Sequence, residues 1–443
     1  MTTKVHSSSA SRNEWWQRSV ARRTVSFVEQ DVAQVASYSP FLNSKPAHHE
    51  SVALFRRHEI IKGRLLGKGG FSNVYEVIGF DLDEAVSCQL SPSQQKLREH
   101  YQRTSRTPEG EGRYAVKHLK EKLLSTPKEF QYAASDLAIE ASYLSALDHP
   151  NILSVRGLPV DGIHGFADGR HDGFFIITDR LTDTLDARIG SWRSCGVDLA
   201  HKAEYALQLA DALDYLADRR IVFRDLKPHN IGFDRSGLLQ LFDFGLCREL
   251  PEGESDELFC MSGVGTRRYM APEVCTVGNY NEKADVYSWS MVLWEMLSSI
   301  KPYPDYSVND HQRFVCERGE RPDMNPEWPR SIQNLLRQTW TEDVASRLSM
   351  KETRFLLKAI IQATKITAES PESPVSVQDS TFRLFGPPPS YLELPLLPID
   401  DTFQRMSISS VGGLSEASEI LSESSLLGMT MSSYTVEPTT YLE

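Results

Sequence analysis

Three short motifs in a fixed order constrain this chain more than anything else in it. Phe223-Arg224-Asp225-Leu226-Lys227-Pro228-His229-Asn230 comes first, then Asp243-Phe244-Gly245, then Ala271-Pro272-Glu273. Each tripeptide is cheap by chance. The ordered set, built on an R-D-x-K-x-x-N core, is not.

The rest of the chain narrows the surroundings of that set. Its 443 residues carry 48 basic against 60 acidic side chains, net −12, and 40% are hydrophobic. The acidic balance argues against a nucleic-acid binder held by bulk charge. No stretch of apolar residues is long enough to span a membrane, and the start has no apolar run of a secretory signal. Residues 1–28 hold five basic residues and one acid, Glu14, and are Ser-rich. That loosely fits a transit peptide, but a regulated disordered tail is the expectation taken. The six cysteines (88, 195, 247, 260, 275, 316) are scattered, with no C-x-x-C. They indicate neither a disulfide framework nor a zinc site, so a cytoplasmic compartment, or the nucleus, is expected.

Three zones follow. Residues 1–57 are polar and read as a disordered basic and Ser-rich tail. Residues 58–362 alternate short apolar runs with amphipathic stretches. Residues 363–443 are rich in Ser, Thr and Pro; from 364 on they hold eleven acids and three basic residues. That end is expected to stay disordered, because it buries too little apolar surface to offset ordering entropy.

Within the middle zone the front third reads as strands and the rest as helix. Ile60–Leu66 and Val74–Val77 flank a glycine turn, a hairpin pattern. Tyr114–His118 reads as a strand. Residues 79–112 are too long and polar for a hairpin loop and read as an insertion. Ala200–Ala217 has the helical period, and Leu238–Phe242 reads as a strand. Val286–Leu297 is apolar on nearly all sides, as a buried helix would be.

Gly67-Lys68-Gly69-Gly70-Phe71-Ser72-Asn73-Val74 places glycines between two strands. Backbone N–H groups there can approach phosphate oxygens with no side chain in the way. Taken alone, the motif is weak, and an ordinary Gly-rich hairpin turn is the better reading. In Tyr114-Ala115-Val116-Lys117, Ala115 and Lys117 share one face, and a Lys on an apolar strand wants an anion. Glu140, beside the apolar face of Leu137, Ala141 and Leu144, is the expected partner. A solvent-facing Lys and a solvated Glu remain the plain alternatives.

Taken together, these residues resemble the eukaryotic protein kinase family over about 58–362. The resemblance implies an α+β, bilobal fold. A small β-rich lobe (58–181) would carry one key helix, and a larger helical lobe (182–362) would follow, with ATP in the cleft. It also implies roles. Leu66, Gly67, Lys68, Gly69, Gly70, Phe71, Ser72, Val74 and Ala115 would surround the nucleotide. Lys117 would hold its α- and β-phosphates and pair with Glu140. Thr178 would guard the back of the adenine pocket, with Asp179, Arg180 and Leu181 as the hinge. Asp225 would accept the substrate hydroxyl proton, and Lys227 would neutralise charge on the transferring group. Asn230 and Asp243 would hold Mg²⁺, for which hard oxygen ligands are suited. Phosphoryl transfer needs positioning and charge screening more than covalent chemistry, so these residue types suffice. Asp285 would brace the catalytic loop, and Arg347 would pair with Glu273.

Three departures stand out. Ser72 replaces the third glycine of the loop. Phe223 replaces the usual His and should still pack on Phe244. Gly232 stands where an apolar residue usually lies under the adenine, with Phe233 as the expected compensation. None removes a group that does chemistry.

Lys227, two residues after Asp225, and Gly265-Thr266 before Ala271-Pro272-Glu273 resemble Ser/Thr kinases. The segment from Asp285 to Met296 resembles the tyrosine-kinase-like branch. The expected activity is transfer of the ATP γ-phosphate to Ser/Thr hydroxyls of protein substrates. A pseudokinase scaffold, or a dual-specificity or tyrosine kinase, is the alternative. Arg224 would order a phosphorylated activation segment, with Ser255 and Ser262 as sites for upstream kinases. Arg22-Arg23-Thr24-Val25-Ser26, Ser370-Pro371 and Ser373-Pro374 resemble further target sites.

Overall fold

The two runs that flank the glycine turn pair as one antiparallel hairpin. In the computed structural model, which describes residues 9–44, 52–253, 257–276 and 278–369, they are β2 (Ile60–Lys68) and β3 (Ser72–Phe80). A short strand, β1 (Ala53–Phe55), precedes them. β4 (Tyr114–Leu119), β5 (Val155–Pro159) and β6 (Phe175–Asp179) complete a six-stranded sheet of order β1-β5-β6-β4-β3-β2. All neighbours are antiparallel except β1 and β5. β1 starts before residue 58, so the small lobe begins earlier than the sequence pattern indicates.

The amino-terminal stretch is not the patternless tail expected of residues 1–57. Ser9–Ser37 is a helix, α1, and Pro40–Ser44 a short helix, α2. Ala21, Thr24, Val25 and Val28 are buried, at the i, i+3, i+4, i+7 spacing of one helix face. The signal was present in the sequence, but basic and Ser residues interleaved with it hid the period.

The insertion also folds. It contributes α3 (Glu84–Ser87) and α4 (Pro92–Arg103). Ser91 caps α4 by accepting from the Gln94 N–H at 3.3 Å, and Pro92 opens it. The insertion is tied down through a fully buried ion pair, Arg98 with Glu59. Glu59 also accepts from the backbone N–H groups of Arg56 (2.6 Å) and Asp83 (2.8 Å). Such a buried charge is tolerable only because each oxygen is so satisfied.

One long helix crosses behind the sheet: α5 (Pro127–Ala146), which carries Glu140. β7 (Asp183–Thr184) then leads into the large lobe. Its helices are α6 (Leu185–Cys195), α7 (Leu199–Ala217), α8 (Pro272–Cys275), α9 (Lys283–Ser298), α10 (Val308–Asp310), α11 (Arg330–Thr339) and α12 (Met350–Glu369). Short strands bridge them: β8 (Ile221–Val222), β9 (Ile231–Phe233), β10 (Leu239–Leu241), β11 (Arg248–Glu249), β12 (Phe259–Cys260) and β13 (Asn279–Tyr280). The architecture is the expected α+β, two-lobed fold.

α9 is buried from Lys283 through Leu297. Its Trp289 Nε1 donates to the Ala206 carbonyl of α7 at 3.0 Å, so the indole's one polar atom is satisfied in the core. Beyond Glu369, the acidic tail lies outside the described residues.

Candidate active site

β4 presents Lys117 from the sheet and α5 presents Glu140 from behind it. Lys117 Nζ lies 2.6 and 2.9 Å from the two Glu140 oxygens and 2.7 Å from Asp243 Oδ1. Burial disfavours the Lys117 ammonium, but Asp243 and Glu140 outweigh it and raise its pKa. Burial pushes the Glu140 carboxyl up to about 7, against the pull of Lys117. Lys117 holds Asp243 below the usual carboxylate range. The plain alternatives for Lys117 and Glu140, two solvated surface charges, do not hold.

Asp225, Lys227, Asn230 and Thr266 form a second constellation. Thr266 Oγ1 donates to Asp225 Oδ1 at 2.7 Å, and Lys227 Nζ donates to Thr266 Oγ1 at 2.9 Å and Asp225 Oδ2 at 2.7 Å. Asn230 Nδ2 donates to the Asp225 carbonyl (2.9 Å) and to Oδ2 (3.1 Å), leaving its amide oxygen for another partner. Thr266 reaches the loop because Gly265 precedes it. Gly265 has φ +117°, and a Cβ there would stand 2.3 Å from the Arg224 carbonyl.

Asp285 braces this loop as the sequence indicates. Its carboxylate accepts from the Phe223 N–H at 2.6 Å and the Arg224 N–H at 3.0 Å. Burial nonetheless pushes it up to about 6. Arg224 and Asp243 both adopt positive φ, 72° and 71°. Side-chain residues rarely hold that backbone without fixed surroundings. Phe223 meets Phe244 edge-on at 5.1 Å, so the apolar replacement keeps the expected contact. Arg347 reaches both Glu273 oxygens, at 2.6 and 3.1 Å.

The glycine turn is open. A Cβ on Gly70 would meet nothing within 4 Å, and one on Gly67 only Val74 at 4.0 Å. Gly69 N–H bonds back to the Ser72 carbonyl at 2.9 Å, while Lys120, a residue the sequence did not single out, binds the carbonyls of Gly69 and Gly70. Leu66, Lys68, Phe71, Ser72 and Val74 lie along the same hairpin, and Ala115 pairs with Thr178 across β4 and β6. Asp179 is held by Arg156 through paired bonds of 3.0 and 2.6 Å, and Arg180 by Glu76 at 2.9 Å. These ion pairs tie the end of β6 and the residue after it back to β5 and β3.

Gly232 is compensated, but not by Phe233. Phe233 is fully buried against Tyr205 and lies 3.3 Å under the Arg188 guanidinium. Alternation along β9 puts it on the face opposite residue 232. Leu181 fills the place instead: its Cδ1 lies 2.5 Å from where a Gly232 Cβ would stand.

Of the regulatory candidates, Ser255 lies outside the described residues. The Ser262 carbonyl accepts from Tyr280 Oη at 2.8 Å. Arg224 donates to the Leu246 carbonyl at 2.6 Å and to Tyr280 Oη at 3.4 Å, and its buried Nη2 has no partner among the described residues. Thr24 is buried, whereas Ser26 is exposed. Away from the cleft, Cys275, His311 and Cys316 gather with their S and N atoms within 4.8 Å of one another. A π-helical turn, His311–Cys316, puts the last two side by side, an arrangement that a search for C-x-x-C spacing does not find.

The description that matches this chain is "Protein kinase domain", over residues 103–355, more than half of its length. The chain belongs to the protein kinase family. The match starts after the glycine turn, which the structure nonetheless attaches to the same sheet. Among curated proteins, the kinase is similar to Mitogen-activated protein kinase kinase kinase 7 of Drosophila melanogaster. They are 28% identical over 256 residues, covering 56% of this chain and 36% of that protein. It is similar to Probable serine/threonine-protein kinase drkD of Dictyostelium discoideum, 31% identical over 257 residues, 57% of this chain and 18% of the other. The human form of the first shares 28% over 222 residues, 48% of this chain and 34% of that protein. The likeness therefore spans about a third or less of these relatives.

Proposed function

We propose that this protein kinase transfers the γ-phosphate of ATP to Ser and Thr hydroxyls of protein substrates. The observation that carries the reading is the Asp225–Lys227–Thr266 triangle, a carboxylate held by an ammonium and a hydroxyl at 2.7 to 2.9 Å. The serine/threonine kinase named among the relatives supports it.

The residues present fit Mg·ATP. No side chain crowds the backbone at Gly67 and Gly70, which leaves room there for phosphate oxygens. Asp243 is 44% exposed at its side chain, and among the described residues no group donates to the Asn230 amide oxygen. That is a hard-oxygen donor pair of the kind Mg²⁺ takes. Mg²⁺ supplies charge neutralisation on the phosphates when bound. Lys117 exchanges part of its contact with Asp243 for phosphate oxygens while Glu140 keeps its ammonium in place. Leu181 packs under the adenine. Asp225 orients the incoming hydroxyl and takes its proton as the O–P bond forms. Lys227 stabilises charge on the transferring group, which passes from ATP to leave ADP.

Serine and threonine are the acceptors that the resemblance to Ser/Thr kinases implies, and the bonds of Thr266 to Asp225 and Lys227 agree with that pattern. Upstream kinases acting on Ser262 or the tails, and a cytosolic or nuclear location, are part of the same reading. All six cysteines are free thiols, which favours a reducing compartment. Among the described residues no helix is long and apolar enough to cross a membrane.

The test is transfer of labelled γ-phosphate by the full chain to a mixed Ser/Thr/Tyr peptide library, beside Asp225→Asn. Label on Ser and Thr from the wild type, reduced at least about 10³-fold in the variant, supports the reading. Equal labelling by both, label confined to Tyr, or none from a folded wild type overturns it.

A further inference from the structure

Helix α1 lies against the back of α5. Phe27 meets Tyr132 edge-on with ring centroids 5.5 Å apart. Val28 is fully buried in the shared core. One turn further along both helices, Ser135 Oγ donates to the Asp31 carboxylate. Ser135 and Glu140 stand five residues apart, about 140° around a helix. The Asp31 contact and the Lys117 contact therefore grip opposite sides of α5.

A second tie comes at the turn after α1. Ser39 Oγ and the Phe41 N–H, the latter at 3.1 Å, both donate to the Glu249 carboxylate. Glu249 sits in β11, six residues after Asp243. Of the two carboxylates that hold Lys117, Glu140 thus lies on a helix fastened to the amino-terminal segment, and Asp243 lies six residues before a strand fastened to it. Without it, the Tyr132 and Ser135 side of α5 would lose the cover that Phe27, Val28 and Asp31 give it.

We propose that residues 21–44 form an intramolecular clasp that sets α5 and the start of the activation segment in their catalytic arrangement. Asp31 and Ser39 are positioning residues, acting through Ser135 and Glu249. The activity readout rests on the kinase reading above; the structural readout does not.

The test uses the full chain. Val28→Asp puts a charge into the shared core, Val28→Ile is the conservative control, and Asp31→Ala/Ser39→Ala removes both polar ties. Amide hydrogen exchange, kcat and the KM for ATP are measured for each. The clasp predicts at least tenfold faster exchange in α5 and in residues 243–250 of Val28→Asp, with α7 and α9 unchanged. It also predicts at least a tenfold loss of kcat, and wild-type behaviour for Val28→Ile. The double variant should lose threefold to tenfold in kcat, with the KM for ATP within twofold of wild type. Faster exchange confined to residues 21–44, with kcat and α5 within twofold of wild type, overturns the proposal. If Val28→Asp exchanges faster throughout, the double variant decides by the same criteria. If wild type transfers no phosphate, the kinase reading fails and exchange in α5 alone judges the clasp.

Discussion

Leu181 occupies the volume that a side chain at Gly232 would need, its Cδ1 2.5 Å from the ideal Cβ position. Leu181 lies between β6 and β7 and Gly232 in β9, yet they share one space, which the proposed function makes the floor under the adenine. Leu181→Ala should therefore raise the KM for ATP about tenfold, the equivalent of about 1.4 kcal/mol of lost apolar contact. Steady-state kinetics at varied ATP check it. An unchanged KM would show that Leu181 does not touch the nucleotide.

Glu140 sets an acid limit on activity. Burial raises its carboxyl to about 7, so protonation on lowering the pH through that value removes the charge that holds Lys117. The kcat/KM for ATP, which reports the free enzyme, should fall with one-proton slope below about pH 7. Glu140→Gln should lower kcat/KM about 10- to 100-fold at pH 8 and abolish that limb. A pH–rate series on both forms measures this.

Glu295 governs stability with the opposite sense of charge. It is 1% exposed and accepts from Tyr269 Oη at 2.7 Å, and burial raises its carboxyl from 4.5 to about 7. A carboxyl raised by folding binds its proton more tightly in the native state. Its contribution is full below pH 4.5 and is lost as pH rises through about 7. Glu295→Gln keeps an acceptor for Tyr269 without the charge. It should stabilise the fold at pH 8 by on the order of 2 kcal/mol, and by about nothing at pH 4.5. Thermal melts at both pH values check it.

Arg347 is wholly buried at its side chain and pairs with Glu273. Removing one partner of such a pair strands the other, a loss of about 3–5 kcal/mol. Arg347→Ala should destabilise the large lobe by that amount, read by urea unfolding. Arg347→Met/Glu273→Leu, which removes both charges, should recover most of it.

Thr266→Val tests the Asp225 carboxylate's support. The methyl keeps the side chain's shape and loses the bonds to Asp225 and Lys227. kcat should fall about tenfold with the KM for ATP within twofold, as expected for a group acting in the chemical step. Equal losses in both would place Thr266 in nucleotide binding.

Much of the site was legible in the sequence because its chemistry is carried by local words. Asp225, Lys227 and Asn230 lie within six residues, and glycines, strands and helices around them announce themselves by turn chemistry and apolar period. The hairpin at 60–80, the strand at Lys117 and the buried α9 came from such local signals. The partners did not need geometry to be named, only a charge that wanted an opposite. What was hidden lay where the deciding contact spans the chain. Leu181 stands 51 residues from Gly232, Glu249 lies more than 200 from Ser39 and Phe41, and the apolar face of α1 reads as a tail until α5 is there to receive it. The sequence by itself determined the reactive groups, their order and the secondary structure that carries them. Only the tertiary structure decided which side chain fills the space under Gly232 and that the amino-terminal helix closes over α5. Burial is a property of neighbours, and pattern within one segment does not record which distant surface will exclude its water.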